Sequence, residues 1–277
     1  MLKRLLKNFL SEIELQQLYS SFDIIGDIII IKIPNKLEHK KELIANTLIN
    51  NIKTVKTVFA QSSNVNGEYR VRDLEFLSGE NKTTTEYKEH GCIFKLDVSK
   101  VYFSPRLSTE RLRISKMINK NEIITNMFGG IGTYSIIIAK KNPTCKIYNI
   151  DSNPTAYEFC KLNCKLNKVE DRVIPILGNA KQIIYNYLQN VSTRVLMPLP
   201  ETAHDYVDIA VTSLKNKTGL IHFFSHIHGD NKLIAIDNAE EYSKKSFHNY
   251  KNEIQSLKVV REVGPRFYQV VSDILIK

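Results

Sequence analysis

Apolar and polar positions alternate along the chain with two different rhythms. In the second half, short apolar runs stand between longer segments whose apolar residues recur at helical spacing. The runs are "NEIITNMF" (121–128), "CKIYNID" (145–151), "RVIPIL" (172–177), "RVLM" (194–197) and "GLIHFFS" (219–225). Helices are predicted over "GGIGTYSIIIAKK", "SNPTAYEFCKLNCKLNKV" with Pro154 at its start, "ETAHDYVDIAVTSLK", and a polar stretch from about 234 to 256. Two further strands, "KVVREVG" and "RFYQVVSDILI", are joined by Gly264-Pro265. Strands alternating with helices imply right-handed crossovers and a mainly parallel sheet covered on both faces. The Gly-Pro connection is too short for a crossover, so the last two strands must be antiparallel neighbours, a mixed edge on the sheet.

The first half keeps a different pattern. Ser11 with Glu14 three residues on reads as a capping box opening a helix. Then come the strand "DIIIIKIP", a helix over about 36–51, the strands "KTVKTVFAQ", "EYRVRDLEFL" and "CIFKLDVSKVYF", and a helix from about 107. Alternating polar and apolar residues there suit an antiparallel sheet with one wet face. The expected fold class is α/β: a Rossmann-like, mainly parallel seven-stranded sheet over 116–277, preceded by a smaller α+β domain over 1–115.

Composition narrows the partners. Hydrophobic residues make up 43% and charged residues 25% of 277 positions, the balance of a soluble globular protein. The longest apolar run, "IIGDIIIIKI", is broken by Asp27 and Lys32, so no membrane span is expected, and the acids after the basic start argue against a secretion signal. The net charge of +10 is spread along the chain and favours a polyanion, nucleic acid before membrane. Cys160 and Cys164 lie one helical turn apart and read as small core residues; two more ligands at zinc-like spacing are lacking. His222, His226 and His228 suggest no metal site either, and a surface or RNA-facing role is expected for them.

Ligands of such sheets bind outside the carboxyl ends of the strands. There the first strand of the second half ends in Phe128-Gly129-Gly130-Ile131-Gly132, a turn that lets a ligand approach the backbone. The three spaced glycines of a dinucleotide fingerprint are absent, which disfavours a pyrophosphate. Nineteen residues after Gly132, Asp151 ends the second strand, where a carboxylate accepts both ribose hydroxyls of an adenosine. Gly178-Asn179-Ala180 ends the third, where an amide meets an adenine edge with donor and acceptor together. Glycine turn, acid and amide on successive strands specify an adenosyl ligand, and S-adenosylmethionine is the natural candidate. Methyltransferases of this architecture often carry acids where Asn126 and Asn179 stand.

The string "YRVRDLEFLSGENKTTTEYKEHGCIFKLDVSKVYFSPRLSTERLRI" (69–114), with "NMFGGIGTYSI", "LGNAK" and "MPLPETAH", closely resembles the archaeal and eukaryotic tRNA methyltransferases of position 37. The resemblance spans about residues 20–277. It implies a class I methyltransferase that makes 1-methylguanosine beside the anticodon or, in archaeal relatives, methylates C7 of 4-demethylwyosine to isowyosine. It also implies that Glu110 is the general base, Arg70 the group that contacts O6, and Arg111 a residue lying against the cofactor. Arg106 is assigned to the substrate or to bracing of the domain junction. Residues 1 to about 20 are too few to form the family's extra tRNA-gripping domain, so the chain resembles the shortened archaeal members. A cytoplasmic monomer acting on the tRNA anticodon loop is expected.

The stretch "VLMPLPETAH" ends the fourth parallel strand. Related enzymes place Asn-Pro-Pro or Asn-Leu-Pro there, whereas this chain has Pro198-Leu199-Pro200, with His204 beyond. Two prolines stiffen the loop and aim the carbonyls at 197–199 toward the target base. Loss of the asparagine favours a less polar tricyclic base and hence C7 methylation, with N1 methylation open. Two other activities stay open: aminocarboxypropyl transfer, whose enzymes tend to carry a glycine-aromatic pair in place of these prolines, and tRNA binding without catalysis.

Overall fold

A computed structural model describes residues 2–19, 21–62 and 69–277. The chain divides into two compact units, Met1–Pro105 and Arg106–Lys277. This division falls ten residues before the boundary expected from the sequence, and it gives the helix that follows Leu107 to the second unit.

In the first unit the helices α1 (Leu2–Leu6), α2 (Glu12–Gln17) and α3 (Lys41–Asn51) cover one face of a four-stranded sheet. Its strands are β1 (Phe22–Ile25), β2 (Ile28–Ile31), β3 (Thr57–Gln61) and β4 (Leu74–Gly79), paired in that order. All pairs are antiparallel except β2 with β3. The four isoleucines of β2 are all buried, as befits a strand enclosed on both faces. Leu2, Leu6, Leu10 and Leu18 join Ile29, Ile31 and Leu48 in one core, so the N-terminal residues are part of this unit. The Ser11–Glu14 capping box forms as expected. A hairpin of β5 (Thr84–Glu89) and β6 (Cys92–Asp97) completes the unit. β1 and β5 carry no strong apolar alternation and were not expected. The strand expected over "EYRVRDLEFL" begins only at Leu74, and Glu68 lies outside the described residues.

The second unit opens with α4 (Ser108–Lys116) and continues as an alternating array. Its strands are β7 (Ile123–Asn126), β8 (Lys146–Asp151), β9 (Val173–Leu177), β10 (Arg194–Met197), β11 (Gly219–His228), β12 (Asn252–Gly264) and β13 (Phe267–Ile276). Between them lie α5 (Thr133–Lys141), α6 (Pro154–Asn167), α7 (Ala180–Tyr187), α8 (Val207–Ser213) and α9 (Lys232–Ser246). The sheet order is β12-β13-β11-β10-β7-β8-β9, with β7 through β11 parallel. The hairpin does sit at one edge, but β13 inserts between β11 and β12 and pairs antiparallel with both. The last helix ends at Ser246, ten residues before the expected point. Residues 252–257 instead extend β12, whose register shifts at three places along an exposed edge.

Local chemistry explains the helices that frame the strand ends. Asn153 caps α6 by accepting from the backbone N–H groups of Thr155 and Ala156, with Pro154 at the first helical position. Asn179 caps α7 in the same way through Lys181. Helix α5 is buried along its length from Thr133 to Ala139, which is why its three consecutive isoleucines are tolerated in a helix despite their stiffness.

Candidate active site

The glycine turn after β7 folds back onto the end of β8. Gly129 N–H donates to the Ile150 carbonyl at 2.8 Å, and Gly130 N–H donates to Asp151 Oδ2 at 2.6 Å. The other oxygen of Asp151 accepts from Asn153 N–H at 2.9 Å. Gly130 has φ +54°, and a Cβ there would meet no heavy atom within 4 Å, so this corner of the turn faces open space. Gly132, at φ +87°, is closed on the other side: a Cβ would stand 2.7 Å from Cys160 Sγ. Burial pushes the Asp151 carboxyl above its usual pKa, while the two backbone donors pull it back.

Beneath the turn, Asn126 is fully buried. Its amide donates to Ser135 Oγ at 3.1 Å, and Ser135 passes a bond of 2.7 Å to Asn149 Oδ1. Asn126 Oδ1 itself has no hydrogen-bond partner among the described residues. A buried acceptor in that state is completed by a ligand or an ordered water. At the mouth, Phe128 meets Tyr206 edge to face with centroids 4.9 Å apart, and Lys181 Nζ lies 4.7 Å from the Tyr206 ring centre. Ala180 is buried at the start of α7. Asn179 Oδ1 accepts from Lys181 N–H at 2.9 Å to cap α7, which leaves its second lone pair and the Nδ2 donor for a ligand.

A ligand carrying a ribose diol and an adenine fits this donor set. The open Gly130 corner, the Asp151 carboxylate, the Asn179 amide N–H and the unpaired Asn126 oxygen supply the space and the partners.

The predicted methyl-transfer residues are disposed as follows. Glu110, on α4, is 1% exposed. Arg113 Nε donates to its Oε1 at 3.0 Å and Oε2 at 2.9 Å, and Arg113 Nη2 donates to Oε1 at 2.7 Å. Burial pushes the Glu110 carboxyl above its ordinary pKa, opposed by the Arg113 hydrogen bond and charge. Arg111 is buried too, with its guanidinium 5.9 Å from the ring centre of Tyr134, the second residue of α5. Arg106 is exposed at the beginning of the unit.

In the proline loop, Pro198 and Leu199 are half-buried and Pro200 is buried. The Leu199 carbonyl accepts from Ala203 N–H at 3.0 Å and Thr202 N–H at 3.3 Å. Both its lone pairs are therefore spent inside the loop, and this carbonyl is not aimed at a base. His204 is exposed, 3.1 Å from Asp205. His226 Nδ1 lies 3.7 Å from Glu201. Among the described residues no three His, Cys, Asp or Glu side chains gather in a metal-holding group.

In the first unit, Arg70 does not lie on a strand. It sits in a turn before β4 at φ +54°, within the stretch expected to be a strand. Its guanidinium stacks 4.3 Å from the Tyr102 ring centre, whereas Arg72 pairs with Asp23 at 3.4 Å. A left-handed arginine costs about 1 kcal/mol or more and persists only where its surroundings hold it.

Sequence reasoning missed the ion network behind Glu110, and His222, expected at the surface or facing RNA, is fully buried within it. Arg113, Asp273, His222, Arg194 and Glu122 are linked there by hydrogen bonds of 2.5–3.1 Å. One signal was available: single charged residues inside otherwise apolar strands, Asp273 in "VVSDILI" and Arg194 in "RVLM", demand a buried partner.

Two family models cover the chain almost end to end. The TRM5/TYW2 methyltransferase domain matches residues 85–255 and the TYW2 N-terminal domain matches residues 2–83. The chain belongs to the TRM5/TYW2 methyltransferase family. The family model therefore begins inside the first unit, at the β5–β6 hairpin. Among TRM5/TYW2 relatives, the tRNA (guanine(37)-N(1))-methyltransferase Trm5b of Pyrococcus abyssi is 38% identical over 92% of this chain and 74% of its own length. The tRNA 4-demethylwyosine(37)-methyltransferase Taw21 of Saccharolobus solfataricus is 36% identical over 94% of this chain and 95% of its own. A solved complex of aTrm5 with tRNALeu superposes with a TM-score of 0.85 at 36% identity, covering 99% of this chain and 77% of that one. The expected fold, a mainly parallel seven-stranded methyltransferase sheet with an N-terminal α+β unit, is the observed one.

Proposed function

We propose that this chain is an S-adenosylmethionine-dependent methyltransferase acting on the purine at position 37 of the tRNA anticodon loop. The observation that carries the reading is the Asp151 carboxylate, bridging the N–H groups of Gly130 and Asn153 beside the open corner of the glycine turn. A carboxylate so placed accepts two ribose hydroxyls, and the Asn179 amide donates to the adenine edge. When bound, S-adenosylmethionine supplies an electrophilic methyl group on a sulfonium.

The remaining work falls to side chains. For a guanosine target, Glu110 takes the N1 proton, the N1–H electron pair becomes the new bond to the methyl carbon, and the electrons of the broken C–S bond stay on sulfur. The family resemblance assigns the negative charge developing on O6 to Arg70, whose guanidinium is held within its own unit by the left-handed turn and Tyr102. Glu110 Oε2 carries one of the three bonds from Arg113 and keeps the larger share of acceptor capacity. For 4-demethylwyosine, C7 attacks first and Glu110 then removes its proton. Pro198, standing where relatives carry asparagine, takes an amide away from the base and favours the tricyclic substrate. Pro200 and His204 line the same loop, and Arg106 grips the RNA.

Among the described residues no helix is long and apolar enough to cross a membrane. The reading places the enzyme in the cytoplasm as a monomer. The deciding experiment is turnover with labelled S-adenosylmethionine on two tRNAs, one with guanosine and one with 4-demethylwyosine at position 37. Label in the 4-demethylwyosine tRNA, at C7 by mass spectrometry, is expected. No label in either tRNA refutes the proposal, and an aminocarboxypropyl mass in the product replaces it.

A further inference from the structure

Glu110 is the end of a line of hydrogen bonds that crosses the sheet. Arg113 holds it on one side and on the other donates to Asp273, through Nη1 to Oδ2 at 2.7 Å and Nη2 to Oδ1 at 3.1 Å. Asp273 is fully buried on β13 and also accepts from Ser256 of β12 at 2.6 Å. His222 of β11 places Nδ1 2.5 Å from Asp273 Oδ1, and its Nε2 lies 2.8 Å from Arg194 Nη1 of β10. Arginine only donates, so Nε2 accepts and the single imidazole proton sits on Nδ1, facing Asp273. Burial, which pushes the His222 pKa down, agrees with a neutral ring. Arg194 is in turn held by Glu122 at 2.6 and 2.9 Å.

We propose that Asp273, oriented by His222, acts through Arg113 on Glu110, so that a guanidinium shared between two carboxylates places Glu110 and leaves it able to take a proton. This rests on Glu110 being the base of the reaction. An arginine committed to one carboxylate would neutralise it and make it a poor acceptor. Here Glu110, Arg113 and Asp273 together carry one negative charge in a buried setting, which favours receipt of a proton on Glu110. The charged groups facing Glu110 are Arg113 on its own helix, Asp273 from β13 and Lys258 from β12. Neutral His222 stands behind Asp273, and α5 presents Tyr134 to the neighbouring Arg111. Burial works to raise the Asp273 pKa, but hydrogen bonds from His222 and Arg113 outweigh it and hold the carboxyl well below the usual range, so Asp273 remains charged wherever the enzyme works. Asp273, His222 and Arg113 are positioning residues in this account.

The test is the pH profile of single-turnover methyl transfer at saturating S-adenosylmethionine and tRNA. Asp273→Asn gives the whole guanidinium charge to Glu110. The alkaline plateau should fall by about tenfold and the rising limb should move to lower pH by about half a unit or more, with KM for tRNA unchanged. A cluster that only stabilises the fold would lower the melting temperature and leave the limb in place; that result overturns the proposal. Should Asp273→Asn not fold, Arg113 variants decide. Arg113→Gln should lose about thirtyfold in kcat, and Arg113→Lys, which keeps the charge but not the fork, should recover part of it. A wild-type rate in Arg113→Gln overturns the proposal. Glu110→Gln separates the two ideas. A defective Glu110→Gln beside a normal Asp273→Asn removes this inference alone, whereas an active Glu110→Gln removes the base itself.

Discussion

Replacing Asp151 by alanine removes the carboxylate onto which the glycine turn folds. Its oxygens accept from Gly130 N–H at 2.6 Å and Asn153 N–H at 2.9 Å and have further lone pairs for two hydroxyls. A hydrogen bond to a charged acceptor contributes about 1.5–3 kcal/mol. Losing two should therefore cost at least about 3 kcal/mol of cofactor affinity, roughly a hundredfold in Kd. A thermal melt of the variant is read alongside, since one of the donors it leaves without a partner, Asn153 N–H, belongs to a buried residue. Isothermal titration with adenosine and with 2′,3′-dideoxyadenosine measures the term directly: the wild type should discriminate strongly between them and the variant should not. Acidification should act in the same direction. Burial holds the Asp151 pKa above its ordinary value, so the charged acceptor is lost, and affinity falls, at a higher pH than for a surface aspartate. If Asp151→Ala binds adenosine within fivefold of wild type, or still rejects the dideoxy analogue, the assignment of the ribose site is wrong.

Two other outcomes follow from the structure. Arg194→Met leaves Glu122 charged and unpaired in the interior and should cost about 3–5 kcal/mol, lowering Tm by about 10 °C, with much of the loss restored by adding Glu122→Leu. A thermal melt of the single and double variants checks it, and a single variant melting like wild type would contradict the pairing. Pro198→Asn returns the missing amide to the loop and should shift relative kcat/KM toward tRNA with guanosine at position 37; competition between the two tRNAs reads the shift, and none would remove the argument from the prolines.

The local features from which the cofactor site is proposed were legible because each is set by short-range sequence: Gly130 and Gly132 take positive φ, and Asp151 closes an apolar run. The helix that Asn179 caps was not expected. The same local logic did not show that the Asn179 oxygen also caps α7. It also placed the Leu199 carbonyl toward a base, where the chain's own Thr202 and Ala203 N–H groups claim it. Arg70 is named by the resemblance, but its expected place on a strand fails because a left-handed turn interrupts a run whose composition looks like strand.

The alternation of strands and helices, the Ser11 cap and the glycine turns follow from the amino-acid order alone, which also leaves single charges inside apolar runs. These depend on backbone preference and on hydrophobic periodicity within a few residues. Only the tertiary structure decided which of those charges meet. Glu110, Arg113, His222 and Asp273 are spread over more than 160 positions and come together because β13 inserts beside β11 and sets His222 opposite Asp273. A buried charge must find a partner, but that demand names no partner; the order of strands in the sheet does.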